Sequence, residues 1–223
     1  MSLDYIRHIE VIDPQTFKTP VHVIGAGATG SWLVLMLAKL GIQDINVWDF
    51  DVIEGHNIPN QMFSPEQIGK SKVEAIHNIA LSFANNDVKI HKQKVDGSQR
   101  LAGIVFMLTD TMESRKEIYE KAIKFNPAVK LLIETRMDFN GGRIYTINPS
   151  NINHIKEYEK EFYTDEETVA PSACGASTTI VATAIDISAH AVWNLINWHN
   201  EDENYNEILL DIQNKNILTR NFE

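Results

Sequence analysis

Residues 21–61 read VHVIGAGATGSWLVLMLAKLGIQDINVWDFDVIEGHNIPNQ, and this stretch decides the fold. A short apolar run leads into GAGATG at residues 25–30, a long apolar segment follows, and a second short run ends at Asp49 and Asp51. Glycines let the backbone turn tightly near a phosphate, and the helix that begins there offers free N–H groups to the anion. A carboxylate about 20 residues further on can accept hydrogen bonds from ribose hydroxyls. This order predicts a nucleotide site; the alternative is a glycine turn that only packs a helix on a strand.

Composition narrows the class of protein. A chain of 223 residues is long enough for one α/β domain with a full core. The formal net charge of −10 argues against nucleic acid as a partner, because phosphate binding needs excess lysine and arginine. A single cysteine excludes an internal disulfide and a cysteine-rich zinc site. The start lacks the features of a signal peptide, and the apolar segment 176–196 contains Asp186 and His190, so we expect a cytoplasmic protein without a membrane contact.

Apolar segments alternate through the rest of the chain. The alternation predicts an α/β fold with a doubly wound, mostly parallel, Rossmann-like sheet. We expect an N-terminal arm at residues 1–20, a nucleotide-binding domain at 21–200 with an excursion at about 149–175, and a polar, peripheral tail at 201–223. Beyond the first strand–helix–strand unit, the predicted strands are 88–95, 103–109, 130–135 and 143–147, and the predicted helices are 70–84, 112–125 and 177–198.

The glycine turn, the acids after the second strand and Asp110 all follow the carboxyl ends of predicted strands. In open α/β sheets, ligands bind at that edge. Asp110 could instead be a helix N-cap, with Glu113 three residues further on. Lys72 falls in the first turn of a predicted helix, where it opposes the helix dipole. An anionic partner would explain this lysine, and the alternative is a solvated side chain.

The pattern after the second strand is more specific. Asp49 and Asp51 begin a D-x-D-x-V motif, Asn57 and Gln61 follow, and residues 69–72 read GKSK. Together with the glycine turn, these residues resemble the ThiF/MoeB/HesA family of adenylyltransferases, which are relatives of ubiquitin-activating enzymes. The resemblance is specific over residues 21–115. It implies ATP and Mg²⁺ as cofactors and a cofactor-binding set of Gly25, Gly27, Ala28, Thr29, Gly30, Asp49, Asp51, Asn57, Gln61, Lys72, Asp110 and Thr111.

The resemblance also implies roles for individual residues. Asp51 would bind the ribose, Lys72 the phosphates, and Asp110, in a T-D-x-x-x-x-R motif, the magnesium ion. Tyr5-Ile6-Arg7-His8 resembles a Y-x-R-Q stretch whose arginine reaches the neighbour's ATP across a dimer interface. It therefore implies a homodimer in which Arg7 is catalytic, and the alternative is a surface arginine on a loose terminus.

Cys174 precedes the last long predicted helix. A helix N-terminus stabilises a thiolate, and ThiF-like proteins use a similarly placed cysteine for a covalent link to the carrier protein. The alternative is an inert, buried thiol. The chain departs from the family in two respects: it lacks the CxxC pairs of the crossover loop, so no structural zinc is expected, and Asn60 replaces an arginine near the triphosphate. Arg7, Lys70 and Arg136 are candidates to compensate for that arginine.

The leading hypothesis is ATP-dependent adenylylation of a carboxyl group, with Arg7, Lys72, Asp110 and Cys174 as catalytic residues. The resemblance implies that the substrate is the C-terminal glycine of a ubiquitin-like or sulfur-carrier protein, followed by transfer to the cysteine. The main alternative is a non-catalytic module that binds a nucleotide or a partner's tail. An enzyme acting on a tRNA-borne carboxylate fits an acidic chain less well, and nothing resembles the hydride-transfer site of an NAD dehydrogenase.

Overall fold

The structure is a computed structural model that describes residues 3–163 and 178–223. The strands of these residues join one sheet: β1 (Val21–Ile24), β2 (Ile45–Trp48), β3 (Lys89–His91), β4 (Gly103–Met107), β5 (Val129–Met137), β6 (Gly141–Ile147), β7 (Glu207–Asp211) and β8 (Asn216–Arg220). Their spatial order is β3-β2-β1-β4-β5-β6-β7-β8. The first five strands pair in parallel, and β6, β7 and β8 add in antiparallel fashion. Strands β2 and β3 are added on one side of β1, and β4 and β5 on the other. This switch in strand order places a crevice at the carboxyl edge of β1.

Helices cover both faces of the sheet. They are α1 (Ala28–Lys39), α2 (Lys72–Ala84), α3 (Met112–Ile118), which continues as a π-helical turn (Tyr119–Ile123), α4 (Ile152–Glu159) and α5 (Val181–Asn200). One buried apolar cluster joins α1, α2 and α5 to one face of the sheet. A second cluster joins the π-helical turn and α4 to the other face. The predicted doubly wound α/β fold is therefore confirmed. Among residues 3–163 and 178–223, no helix combines the length and apolarity needed to cross a bilayer.

The C-terminal segment differs from the predicted peripheral tail. Residues from this segment form β7 and β8, which extend the sheet beyond β6. Ile208, Leu210 and Phe222 are buried, so the segment contributes to the core as well as to the edge. Two five-residue strands with interspersed polar residues give a weak periodic signal, and their pairing with β6 is visible only in three dimensions. The predicted excursion near 149–175 contains α4 before the described residues break off at position 163.

Candidate active site

The glycine turn between β1 and α1 is built by two close approaches of the backbone. Gly25 has a φ of +102°, and a Cβ atom there would lie 2.8 Å from the carbonyl oxygen of Leu108. A Cβ atom on Gly30 would lie 1.9 Å from the carbonyl oxygen of Gly25. Gly27 differs, because a Cβ atom there would meet nothing within 4 Å. Packing therefore explains the first and last glycines, whereas the middle one faces open space at the start of α1.

Among the described residues, no side chain caps the N-terminus of α1. Gly27 occupies the N-cap position and has no side chain, and the first turn contains no acidic residue. The first N–H groups of a helix lack partners within the helix, and the helix dipole places positive charge there. Ala28 and Thr29 line the crevice at this point. The turn is therefore suited to an anion such as a phosphate.

Asp49, directly after β2, holds the glycine turn in place. Its Oδ2 accepts a hydrogen bond from the N–H of Ala26 at 2.7 Å, and its Oδ1 accepts one from the N–H of Asp51 at 2.8 Å. Burial raises the pKa of Asp49, although these two hydrogen bonds and Lys72 favour the ionised form. The side chain predicted to bind cofactor thus has a structural role that the sequence pattern does not reveal.

Lys72 and Asp51 form an ion pair at the centre of the crevice. The Nζ of Lys72, the first residue of α2, lies 2.8 Å from Oδ2 of Asp51. The lysine side chain is 9% exposed and the aspartate side chain 42% exposed. The solvated-lysine alternative is therefore wrong. Lys72 does have an anionic partner, as the sequence predicts, but in this structure the partner is the residue expected to bind ribose.

Asp110 is exposed at the carboxyl end of β4. The cap of α3 is Thr111, whose Oγ1 accepts the N–H of Ser114 at 3.2 Å, so Asp110 is not the N-cap. Within residues 3–163 and 178–223, no hydrogen bond or ion pair occupies the Asp110 carboxylate. The neighbouring Thr109 Oγ1 is buried and also lacks a hydrogen-bond partner among these residues. Both groups line the crevice and are available to a ligand.

Asn57, Asn60 and Gln61 form part of the wall of the crevice. The Oδ1 of Asn57 accepts the N–H of Glu54 at 2.8 Å and closes a short 3₁₀ turn. Asn60 donates from Nδ2 to the Oγ1 of Thr179, just before α5. Within the described ranges, Asn60 Oδ1 and Gln61 Oε1 are buried without a hydrogen-bond partner. Position 60 therefore links two parts of the wall in this chain and supplies no positive charge.

The crevice has two connected parts that share Gly27, Asp51, Lys72 and the turn after β4. The smaller part, about 200 Å³, is lined by Trp48 and by apolar residues of β1 and the loop after β3. The larger part, about 530 Å³, is more polar and reaches Arg115, Thr135 and Thr179. An apolar slot beside a polar chamber suits a planar base joined to a charged chain.

A neutral aromatic stack supports the smaller part of the crevice. Trp48 stacks on His91 with ring centroids 3.7 Å apart and donates from Nε1 to Nδ1 of His22. Burial lowers the pKa of His22 to about 4, so this imidazole is neutral at physiological pH and accepts the indole hydrogen bond. This slot was not predicted from the sequence, although Trp48 directly precedes Asp49 and the acidic pair.

A charged network that the sequence pattern did not predict lies behind the turn after β4. Arg115 of α3 donates hydrogen bonds to Glu134 of β5 and to the carbonyl oxygens of Thr109 and Thr135. Arg136 donates to the same Glu134 carboxylate, with its Nε 2.7 Å from Oε1. The signal was present in two places: the arginine closes the T-D-x-x-x-x-R motif, and Glu134 interrupts an apolar strand.

The predicted site residues fall into three groups. Those of the glycine turn, Asp49, Asp51, Asn57, Gln61, Lys72, Asp110 and Thr111 surround or support the crevice. Arg7 and Lys70 are exposed and do not line it, and Arg136 is bound to Glu134. Cys174 lies outside the described residues. Among the described residues, no group of three or more histidine, cysteine, aspartate or glutamate side chains could hold a metal ion.

Comparison with known proteins gives a family match. A family model described as "ThiF family" matches residues 14–223. Curated relatives carry the name ubiquitin-like modifier-activating enzyme 5. The protein from Aedes aegypti is 43% identical over 70 residues, which cover 31% of this chain and 17% of the relative. The protein from Drosophila ananassae is 38% identical over 103 residues, which cover 44% of this chain and 24% of the relative. The chain thus aligns with less than a quarter of the length of these relatives.

Solved structures are similar over most of the chain. Escherichia coli MccB superposes with a TM-score of 0.73 at 16% identity and covers 99% of this chain and 70% of its own. The structure of MccB with ATP gives a TM-score of 0.70 at 16% identity, covering 96% and 66%. PaaA gives a TM-score of 0.70 at 15% identity, covering 92% and 64%. At these identities the likeness shows a shared fold.

Proposed function

Because this chain belongs to the ThiF family, we propose that it activates a carboxyl group by transferring the adenylyl group of ATP to it. One observation carries the proposal: three turns at the carboxyl edge of the sheet bring the N-terminus of α1, the Lys72–Asp51 pair and the Asp110 carboxylate around one crevice, and no described residue caps that helix or binds that carboxylate. In support, the similar protein MccB has been crystallised with ATP.

In this proposal ATP lies along the crevice with its base in the slot beside Trp48. Asp51 accepts hydrogen bonds from the ribose, and the first N–H groups of α1 face the phosphates beyond Gly27. Lys72 keeps Asp51 as one partner and turns its other N–H donors to the phosphate chain, since an ammonium group has three donors. The Asp49 carboxylate contributes indirectly, by fixing the glycine turn against the end of β2.

Transfer needs little proton chemistry. An oxygen of the acceptor carboxylate attacks the α-phosphorus of ATP and forms the acyl–phosphate bond of an acyl adenylate. The bond between the α-phosphorus and its bridging oxygen breaks, and pyrophosphate leaves with that electron pair. The carboxylate is already an anion, so no general base is required. Positioning of the two reactants and stabilisation of the negative charge by Lys72 and the α1 N-terminus drive the step.

The site fits a magnesium ion that is shared with the substrate. Mg²⁺ is usually bound through one or two carboxylates plus phosphates and water, so a dedicated protein cage is not required. Asp110 offers a carboxylate without a partner in the described part of the chain, beside the buried Thr109 hydroxyl. When bound, the ion neutralises charge on the phosphates. Asp110 is the residue that would hold it.

We further assign the acceptor as the C-terminus of a protein or peptide, ubiquitin-like or sulfur-carrier in type. The names of the curated relatives support activation of a ubiquitin-like modifier, and MccB has been crystallised with MccA. The Cys174 thiolate then attacks the carbonyl carbon of the acyl adenylate and forms a thioester, and AMP leaves with the electron pair of the broken acyl–phosphate bond. Contribution of Arg7 from a second copy in a homodimer completes the proposal. The exposure of Arg7, away from its own crevice, is compatible with a role in a neighbouring copy.

A second candidate function is a non-catalytic module that binds ATP or a partner's tail. The hydrogen bond from Asn60 to Thr179 favours it, because position 60 supplies no cation where the family resemblance implies an arginine. Among the described residues, the cations that line the crevice are then Lys72, Lys94 and Arg115.

ATP–pyrophosphate exchange separates the two functions. We expect exchange that depends on a carrier ending in Gly-Gly and that is lost in Asp110→Ala. Cys174→Ala should retain exchange and lose only a covalent adduct with the carrier. ATP binding without exchange, across carriers ending in a free carboxylate, would reject the enzyme and favour the module. Failure of ATP to bind would reject the enzyme and leave only a module that binds a partner's tail.

A further inference from the structure

Glu134 is a fully buried carboxylate in the middle of β5. It accepts hydrogen bonds from Arg115 of α3, from Arg136 two residues along the strand, and from the hydroxyl of Tyr158 of α4. Burial by itself would raise the pKa of Glu134, but the two guanidinium groups hold it below its ordinary value. Burying three charged groups carries a large desolvation cost. The network is therefore better explained by the positions in which it holds its residues than by a contribution to stability.

Arg115 connects the network to the crevice. Its Nη2 donates to the carbonyl oxygen of Thr109, and its Nη1 donates to the carbonyl oxygen of Thr135 at 2.8 Å as well as to Glu134. The arginine itself lines the larger part of the crevice. Arg115 binds the backbone carbonyl of Thr109. The side chains of Thr109 and Asp110 can therefore face the crevice, which both residues line.

Arg136 connects the network to the segment after α4. Its Nη1 donates to the carbonyl oxygen of Glu161 at 2.7 Å, and its guanidinium lies over the rings of Tyr145 and Tyr163. The hydroxyl of Tyr145 donates to the Glu161 carboxylate at 3.2 Å. A continuous chain of contacts therefore runs from the turn that carries Asp110 to residues 161–163.

We propose that Arg115 is a positioning residue for the adenylylation reaction. Held by Glu134, it fixes the turn after β4 so that Asp110 faces the phosphates, and through Arg136 it ties that turn to residues 161–163. The inference rests on the proposed function, since the position of Asp110 matters to the reaction only when ATP binds in the crevice. Two cations share one carboxylate in this network, so Arg115 also adds positive potential on the side of the crevice where Asn60 supplies none.

Arg115→Lys tests the positioning role. A lysine keeps the positive charge, but a single ammonium group cannot replace a planar guanidinium that reaches Glu134 and two carbonyl oxygens. Calorimetric titration with ATP should show binding roughly 10- to 100-fold weaker in the presence of Mg²⁺, the range seen when supporting residues of metal ligands are replaced. The loss should be much smaller in EDTA, because Asp110 then has no ion to hold. General loosening of the fold would weaken binding in both conditions.

Two variants serve as controls. Arg136→Lys removes the bond to Glu161 and reduces the paired contact with Glu134 to that of one ammonium group. It leaves Arg115 bonded to Glu134 and Thr109, so its ATP affinity should stay close to that of the unaltered protein. Lys124→Ala removes a surface ion pair to Glu159 of α4 without touching the network, and should change nothing. Equal magnesium-dependent affinities for Arg115→Lys and the unaltered protein would overturn the proposal.

Hydrogen exchange provides a measurement that does not depend on activity. In the unaltered protein, ATP with Mg²⁺ should slow exchange at residues 109–111 and at 158–163 together, and Arg136→Lys should retain only the first effect. Without nucleotide, Arg115→Lys should exchange faster at 109–111. If ATP does not bind at all, the proposed function fails, and this nucleotide-free comparison still tests the positioning role. Unchanged exchange at 109–111 in Arg115→Lys would reject it.

Discussion

Two buried carboxylates support the crevice by opposite means. Asp49, at the end of β2, is held by two backbone N–H groups, and burial raises its pKa. Glu134, in β5, is held by two guanidinium groups and a tyrosine hydroxyl, and its pKa is lowered despite complete burial. Two neutral N–H donors offset only part of the cost of removing an ionised carboxylate from water, whereas two guanidinium cations offset more than all of it. The backbone-held acid stabilises a local turn, and the cation-held acid joins three separate elements.

This contrast predicts different costs of removing each acid. Glu134→Ala leaves Arg115 and Arg136 buried without their shared counterion, so the free energy of unfolding should fall by about 3–5 kcal/mol. Chemical denaturation measures the loss. Glu207→Ala is a matched control, because Glu207 also binds two arginines, but Arg143 and Arg220 are about half exposed. The control should lose about 1 kcal/mol or less. Equal losses would mean that burial of the partners does not set the cost.

On the side of the crevice formed by the turn after β2, Lys72 should determine the reaction rate. Lys72→Ala should lower the rate of ATP–pyrophosphate exchange by about 100- to 1000-fold, the usual effect of removing one preorganised donor to developing charge. Stability should change little, because the Asp51 side chain left behind is already 42% exposed. Lys70→Ala is the control: this lysine is exposed and does not line the crevice. A similar loss in both variants would show that general surface charge, and not the position of Lys72, is responsible.

Asp49→Asn should destabilise the protein less than Glu134→Ala does. An asparagine can accept from one of the two N–H groups, but its NH₂ group must face the other, which leaves a buried donor unsatisfied. The expected cost is about 1–3 kcal/mol, and ATP should bind more weakly because the glycine turn loosens. Asp44→Asn, which breaks an exposed pair with Lys89, should cost less than about 1 kcal/mol. Chemical denaturation of both variants measures the loss in free energy of unfolding, and titration of Asp49→Asn with ATP measures its affinity. A loss for Asp49→Asn no larger than that for Asp44→Asn would contradict the role given to the two hydrogen bonds of Asp49.

The same contrast explains which parts of the site the sequence could predict. Asp49, Asp51 and Lys72 are recognisable because they follow the glycine turn at fixed spacings on adjacent elements. The Glu134 network has no such spacing pattern, because it joins α3, β5 and α4 through contacts that only the packed fold brings together. Likewise, the burial of Lys72 follows from the packing of α2 against the turn after β2, and the pattern alone left a solvated lysine open. The strands β7 and β8 were missed because each has only five residues and β8 is exposed along its length.

The smallest effects should appear in the dependence of stability on pH, where the two acids should act in opposite directions. The pKa of Asp49 is raised in the folded protein, so folding favours its proton and this residue makes the protein more stable as the pH falls from neutrality through the folded pKa. The pKa of Glu134 is lowered, so its contribution is constant above the pKa of the unfolded chain and is lost as the pH falls below it toward the folded pKa. Unfolding free energies of the unaltered protein, Asp49→Asn and Glu134→Gln, measured between neutral and acidic pH, resolve the two contributions. As the pH falls, the stability of the unaltered protein relative to Asp49→Asn should rise, whereas its stability relative to Glu134→Gln should fall. If both differences changed in the same direction, the distinction between an acid held by amides and an acid held by guanidinium groups would not hold in this protein.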